Sequence, residues 1–284
     1  MSKRDAANTS VRDDMLAESK QIIDAARGSG VVLRLIGGLA VRHYCTAVEF
    51  CDRDYSDIDM VGLSKQIAGI QDVFNTLGYA ENIKVAVATG KRQLQFYREC
   101  THRDASAHYF IHPDDHVDIF INTFRMDHDI SLKNRLTIED YTISISDLLL
   151  SKMQIHRINE KDIRDILTIL KEIPDGQEDT KGIINSAYIA GLCANDWGLY
   201  SDVMQNIEKC TDFLLHYSLT ESEKNKIRSK LAAFASGIRN HPKTVKWRLR
   251  AKLGSTVPWY RKIEDQGIEV SDISSDIRKH EKNR

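Results

Sequence analysis

The stretch Tyr55-Ser56-Asp57-Ile58-Asp59-Met60-Val61-Gly62 decides how this chain is read. Side chains alternate along an extended strand, so Asp57 and Asp59 share one face while Ile58 and Met60 take the other, toward a core. Two carboxylates that close repel each other unless a cation neutralises them. A divalent ion such as Mg²⁺ suits the pair, because it takes one or two carboxylates together with the oxygens of a substrate phosphate.

Upstream, Val31-Val32-Leu33-Arg34-Leu35-Ile36 is an apolar, partly β-branched run that leads into Gly37-Gly38 and the helical-looking Leu39 to Tyr44. A strand, a glycine turn and a helix N-terminus are predicted, a geometry that brings backbone N–H groups close to a phosphate. A plain tight turn explains the glycine pair equally simply. Downstream, a third acid, Asp118, lies in His116-Val117-Asp118-Ile119-Phe120-Ile121, inside another apolar strand where an unpaired carboxylate is expensive.

The pattern h-G-G, D-x-D and a later lone Asp resembles the signature of the nucleotidyltransferase superfamily of the DNA polymerase β type. Gly37-Gly38-Leu39-Ala40-Val41 and Arg53-Asp54-Tyr55-Ser56-Asp57-Ile58-Asp59 are most similar to the minimal enzymes related to AbiEii-type abortive-infection toxins. Lys152 and Lys161-Asp162-Ile163-Arg164-Asp165 extend the likeness, which covers about residues 31–172. Many such proteins carry Ser where Gly38 stands, so phosphate contacts here fall to the backbone alone.

The resemblance implies that Asp57, Asp59 and Asp118 hold Mg²⁺ or Mn²⁺. It also implies that Gly37 and Gly38 face an NTP, that Lys152 assists catalysis and that Asp162 lies at the nucleotide. The reaction implied moves an NMP from an NTP to an acceptor hydroxyl on RNA such as tRNA, on protein or on a small molecule, releasing pyrophosphate. The competing reading is a catalytically silent protein of the same fold, for instance a toxin–antitoxin component with an antitoxin partner.

The fold class expected is α+β. Residues 1–135 form a nucleotidyltransferase domain with a mixed sheet flanked by helices, residues 136–264 a helical domain, and residues 265–284 a polar tail. Alternation predicts strands at Lys84–Val87, Leu94–Tyr97, His108–Ile111 and Val117–Ile121. Helical spacing marks Ser146–Arg157, Glu160–Ile173, Lys181–Cys193, Ser201–Tyr217 and Thr220–Arg239, with a capping box at Thr220-Glu221-Ser222-Glu223.

Of the 284 residues, 42% are hydrophobic and 29% charged, with a net charge of −1, so any nucleic-acid site must come from a local cluster. That cluster lies between Arg239 and Lys262, with eight Lys or Arg, no acid, and Trp247, Trp259 and Tyr260 interleaved. Lys246, Arg248 and Arg250 are the expected contacts to an RNA acceptor, unless the segment is a basic helix docked on an acidic face. His112, His116 and the acids around them are metal-ligand types, but His112 to Asp115 is better explained as a hairpin turn. The aromatic group Asp196-Trp197-Gly198-Leu199-Tyr200 is expected to be core packing. Five scattered cysteines without a C-x-x-C pair predict reduced thiols. The absence of a long apolar run predicts no membrane segment and a cytoplasmic chain.

Overall fold

A computed structural model describes residues 3–45, 55, 57–98 and 116–261, with side chains from Met15 onward. The architecture is α+β, built on a mixed five-stranded sheet. Helix α1 (Lys3–Gly28) buries Ile22, Ile23 and Ala26 and ends in a turn through Gly30 at φ +70°. Strand β1 (Leu33–Leu35) then leads into helix α2 (Gly37–Tyr44). Strand β2 (Ile58–Gly62) carries the acidic stretch, and helix α3 (Ile67–Thr76) returns the chain to β3 (Tyr79–Glu81).

Residues 83–88 correct one expectation. Lys84–Val87 belongs to a short helix, α4 (Ile83–Ala88), that buries Val85 and Ala86 and leaves Ile83 and Val87 in solvent. Strands β4 (Gln93–Arg98) and β5 (His116–Ile121) complete the sheet, in the order β1-β2-β5-β4-β3. Only β2 and β5 run parallel; their neighbours pair antiparallel. The buried face of the sheet stacks Phe96 on Phe74, with ring centroids 4.1 Å apart. The expected strand at His108–Ile111 lies outside the described residues.

A hairpin of β6 (Thr123–Arg125) and β7 (Asp129–Ser131) follows, and Leu35 meets Thr142 in an isolated parallel bridge. The chain then becomes helical through α5 (Ile145–Met153), α6 (Glu160–Glu172), α7 (Ser186–Asn195), α8 (Trp197–Phe213), α9 (Glu221–Asn240) and α10 (Val245–Ala251). A two-residue pairing of β8 (Asp175–Gly176) with β9 (Ile184–Asn185) takes the first residues expected in the 181–193 helix. Each helix from α5 to α10 starts on a side-chain cap: Ser144, Asn159, Asn185, Asp196, Thr220 and Thr244. At α9 the reciprocal Thr220–Glu223 capping box forms.

The sheet, α2 and the helical half share one hydrophobic cluster, and α2 packs on both α5 and α6. No helix among the described residues is long and apolar enough to cross a membrane. Cys193 and Cys210 are free and buried, whereas Cys45 is disulfide-bonded. The expectation of reduced thiols throughout is therefore corrected. Sequence spacing carried no information on which cysteines the fold brings together.

Candidate active site

The pairing of β2 with β5 sets Asp59 directly opposite Asp118, and the pairing of β5 with β4 sets Asp118 opposite Gln95. Paired residues share a sheet face, so Asp59, Asp118 and Gln95 form a row across three strands. Their neighbours Ile58, Met60, Val117 and Ile119 fill the core on the other face, which fixes the register. Asp57 precedes β2 by one residue and is half-buried.

The row is electrostatically loaded. Burial, and then the charges of Asp57 and Asp118, push the Asp59 carboxyl up to about 7, against the opposing pull of Lys152 and His116. Asp118 turns to local donors: Gln95 Nε2 donates to its Oδ1 at 3.1 Å, and His116 Nε2 lies 3.1 Å from its Oδ2. Among the described residues, no three such side chains close around a common point as a ready-made ligand set.

Gly37 stands against this row. Its φ of +74° is the left-handed region, and a Cβ there would lie 2.6 Å from Asp59 Oδ2. The Ile36 amide donates to the Asp59 carbonyl at 3.0 Å, tying the glycine turn to the acidic strand. Helix α2, which opens at Gly37-Gly38, has no side-chain hydrogen bond at its N-cap, Ile36. Its first amides thus lack a side-chain cap, and helix N-terminal amides of this kind are donors that a phosphate oxygen can take.

Lys152, in the last turn of α5, reaches toward the same region. Its Nζ lies 2.8 Å from Asp162 and 3.0 Å from Asp165 on α6. Burial works against the charge, but Asp165 and Asp162 outweigh it and hold the lysine above its ordinary range. The carboxylate of Asp162 is therefore committed to Lys152, and Arg164 pairs instead with Glu160 at 3.0 Å. Asp57, Asp59, Asp118, Gly37 and Lys152 are brought together; Asp162 enters through the lysine it holds.

Two participants were not anticipated for this row. Gln95 is an unremarkable amide in an alternating strand, and only strand register places it on Asp118. His116 was noted as a ligand type, and its position two residues before Asp118 on the same strand face was the available signal.

A second carboxylate centre was not anticipated at all. Asp202, on α8 and 1% exposed, accepts from Trp259 Nε1 at 3.1 Å and lies 2.7 Å from His128 Nε2 and 2.8 Å from His156 Nδ1. Trp259 also packs on Gly198, and Tyr260 stacks on His156 at 3.7 Å. Trp247 meets Tyr200 edge-on, and the Arg250 guanidinium donates to the carbonyls of Gly254 and Val257 above the Trp197 ring. Trp247, Trp259 and Tyr260 are thus packing groups, and Arg250, expected among RNA contacts, is partly exposed with its guanidinium bonded within the chain. Lys246 and Arg248 remain exposed. No family model matches the chain, and no curated protein matches it.

Proposed function

We propose that the chain is a metal-dependent nucleotidyltransferase whose centre is the row Asp57, Asp59 and Asp118. The observation that carries this reading is the in-register pair Asp59–Asp118, set against a glycine turn that leaves no room for a side chain. Three hard carboxylate donors, one of them pushed up to about 7 by burial and then by its acidic neighbours, are the donor set that Mg²⁺ or Mn²⁺ prefers. When bound, such an ion neutralises the triphosphate and the departing pyrophosphate.

The chain's own groups divide the remaining work. Asp57 and Asp59 would hold the ion, and the amides at Gly37-Gly38 would take a phosphate oxygen. Asp118, oriented by Gln95 and His116, would accept the proton of the incoming hydroxyl as its oxygen attacks the α-phosphorus. A new P–O bond forms to the acceptor, the α–β bridging P–O bond breaks, and pyrophosphate leaves with the electron pair. Lys152, kept charged by Asp162 and Asp165, would offset negative charge beside Asp59.

The test is incubation of purified protein with each α-³²P-labelled NTP, Mg²⁺ or Mn²⁺, and extracts of total RNA and of protein. Label is expected to move to one acceptor class and to be lost in Asp59→Asn and Asp118→Asn. No transfer under any combination, or transfer that survives both substitutions, would overturn the reading.

A further inference from the structure

Helices α8 and α9 line a cleft of about 280 Å³. Ile207 on α8 and Ala235 on α9 are both buried and give it an apolar floor, to which Ala232 adds a methyl group. Glu208 and Asp212, one turn apart on α8, bring two carboxylates to its walls, and Arg228 and Arg239, three turns apart on α9, bring two guanidinium groups. Among the described residues neither acid closes on either base. Glu208, Asp212 and Arg239 make no side-chain hydrogen bond or ion pair there, and Arg228 donates to Asn225 Oδ1 at 2.5 Å.

The charges of the walls select the ligand. They cancel, so a phosphate or a nucleic acid drawn to the guanidinium groups would also meet two carboxylates. A polyamine drawn to the carboxylates would meet two guanidinium groups. A molecule that carries both an ammonium and a carboxylate finds a partner for each, because a guanidinium offers the forked donors that a carboxylate takes and a carboxylate accepts from an ammonium. Solvent-facing ion pairs contribute little by themselves, so the apolar floor must supply part of the binding. The volume restricts the ligand to a small molecule, since it lies near the low end of the roughly 300–1,000 Å³ usual for ligand pockets.

We propose that the α8–α9 cleft binds a free α-amino acid with an aliphatic side chain. The ammonium is taken by Glu208 and Asp212, the carboxylate by Arg228 and Arg239, and the side chain lies on Ile207, Ala232 and Ala235. An internal residue of a polypeptide carries neither of the two backbone charges, which favours the free amino acid over a segment of a protein partner. The site is independent of the reaction proposed at Asp57, Asp59 and Asp118, none of which lines the cleft, so either reading can fail alone.

The experiment titrates the methyl-labelled full chain with L-leucine and follows the methyl groups of Ile207, Ala232 and Ala235 by NMR. Saturable shifts are expected at these methyls, half-complete below roughly 5 mM. N-acetyl-leucine lacks the ammonium and leucinamide lacks the carboxylate, and each is expected to bind at least roughly tenfold more weakly. Ala232→Phe, at an exposed position, adds bulk to the cleft and is expected to abolish the shifts at Ile207 and Ala235 while the melting temperature stays that of the wild type. Asp212→Asn/Arg228→Gln, which leaves the floor intact, is expected to weaken L-leucine at least roughly tenfold. Absence of saturable shifts at the three methyls, equal binding of the three compounds, or L-leucine binding that survives either variant would overturn the proposal. So would tighter binding of inorganic phosphate or of spermidine, which would make the cleft an anion site or a cation site.

Discussion

Two carboxylate centres in this molecule are built on opposite principles. Asp202 is buried among donors: burial pushes its carboxyl up, but hydrogen bonds from His128, His156 and Trp259 outweigh it and hold the group below the usual range. Asp59 is half-buried among acids, and burial and charge act together to push it up. One site has spent its hydrogen-bonding capacity on the fold, whereas the other retains an unmatched charge. Saturation marks a structural joint, and the imbalance at Asp59 is what the proposed metal site would draw on.

The largest expected effect tests the saturated side. Asp202→Ala removes the acceptor shared by His128, His156 and Trp259 and leaves buried donors without a partner. The loss is expected to be about 3 kcal/mol, roughly 6–10 °C in melting temperature followed by circular dichroism. Because the Asp202 pKa is depressed on folding, its contribution is present above the unfolded-state value and fades as pH falls through the folded-state one. A variant that melts with the wild type at neutral pH would remove the distinction between the two centres.

The opposite sign is expected at Asp59. An acid whose pKa rises from 3.8 to about 7 on folding binds its proton more tightly in the folded state. The chain is therefore penalised progressively as pH rises through that interval, and the penalty is complete above it. Asp59→Asn is expected to raise the stability of the metal-free protein at pH 8 by on the order of 2 kcal/mol, after allowing for solvent at a partly open site. The gain should shrink toward pH 5, and Mg²⁺ with an NTP should stabilise the wild type but not the variant. Melting curves at the two pH values with and without the ion decide it. A destabilised Asp59→Asn at pH 8 would mean that the carboxylate has a structural partner, like Asp202.

The two centres also differ in how far the sequence discloses them. Asp57, Asp59 and Asp118 were legible because a charge that breaks an apolar strand at period two contradicts its surroundings locally. Gln95 could not be found in this way, since a neutral amide on the solvent side of a strand contradicts nothing; the register of β4 on β5 gives it a role. Asp202, His128 and His156 lie on a helix, in a hairpin turn and in a turn between two helices, and no local period links them. Lys84–Val87 misled because Val-Ala-Val satisfies both periods over so few residues, and the buried pair Val85–Ala86 is adjacent, as a helix allows and a one-faced strand does not. Trp247, Trp259 and Tyr260 were visible as composition, but their partners Tyr200, Asp202 and His156 lie elsewhere in the chain.

The smallest effect expected is at Gly37, where the acidic row meets the glycine turn. In Gly37→Ala a left-handed backbone must accept a Cβ, at a cost of about 1 kcal/mol. The added methyl also meets Asp59 Oδ2 at 2.6 Å, with Asp59 Cβ and Cγ at 3.4 Å. If the carboxylate is held by nothing but repulsion, it rotates away and the clash adds little. The substitution should then cost about 1 kcal/mol both in the wild type and in an Asp59→Ala background, measured as a double-mutant cycle by urea unfolding. The Mg²⁺–NTP stabilisation should nevertheless fall, because the rotated carboxylate no longer faces the glycine turn. A coupling well above 1 kcal/mol in the cycle would show Asp59 to be locked in place, and the contrast with Asp202 would then rest on charge alone and not on freedom to move.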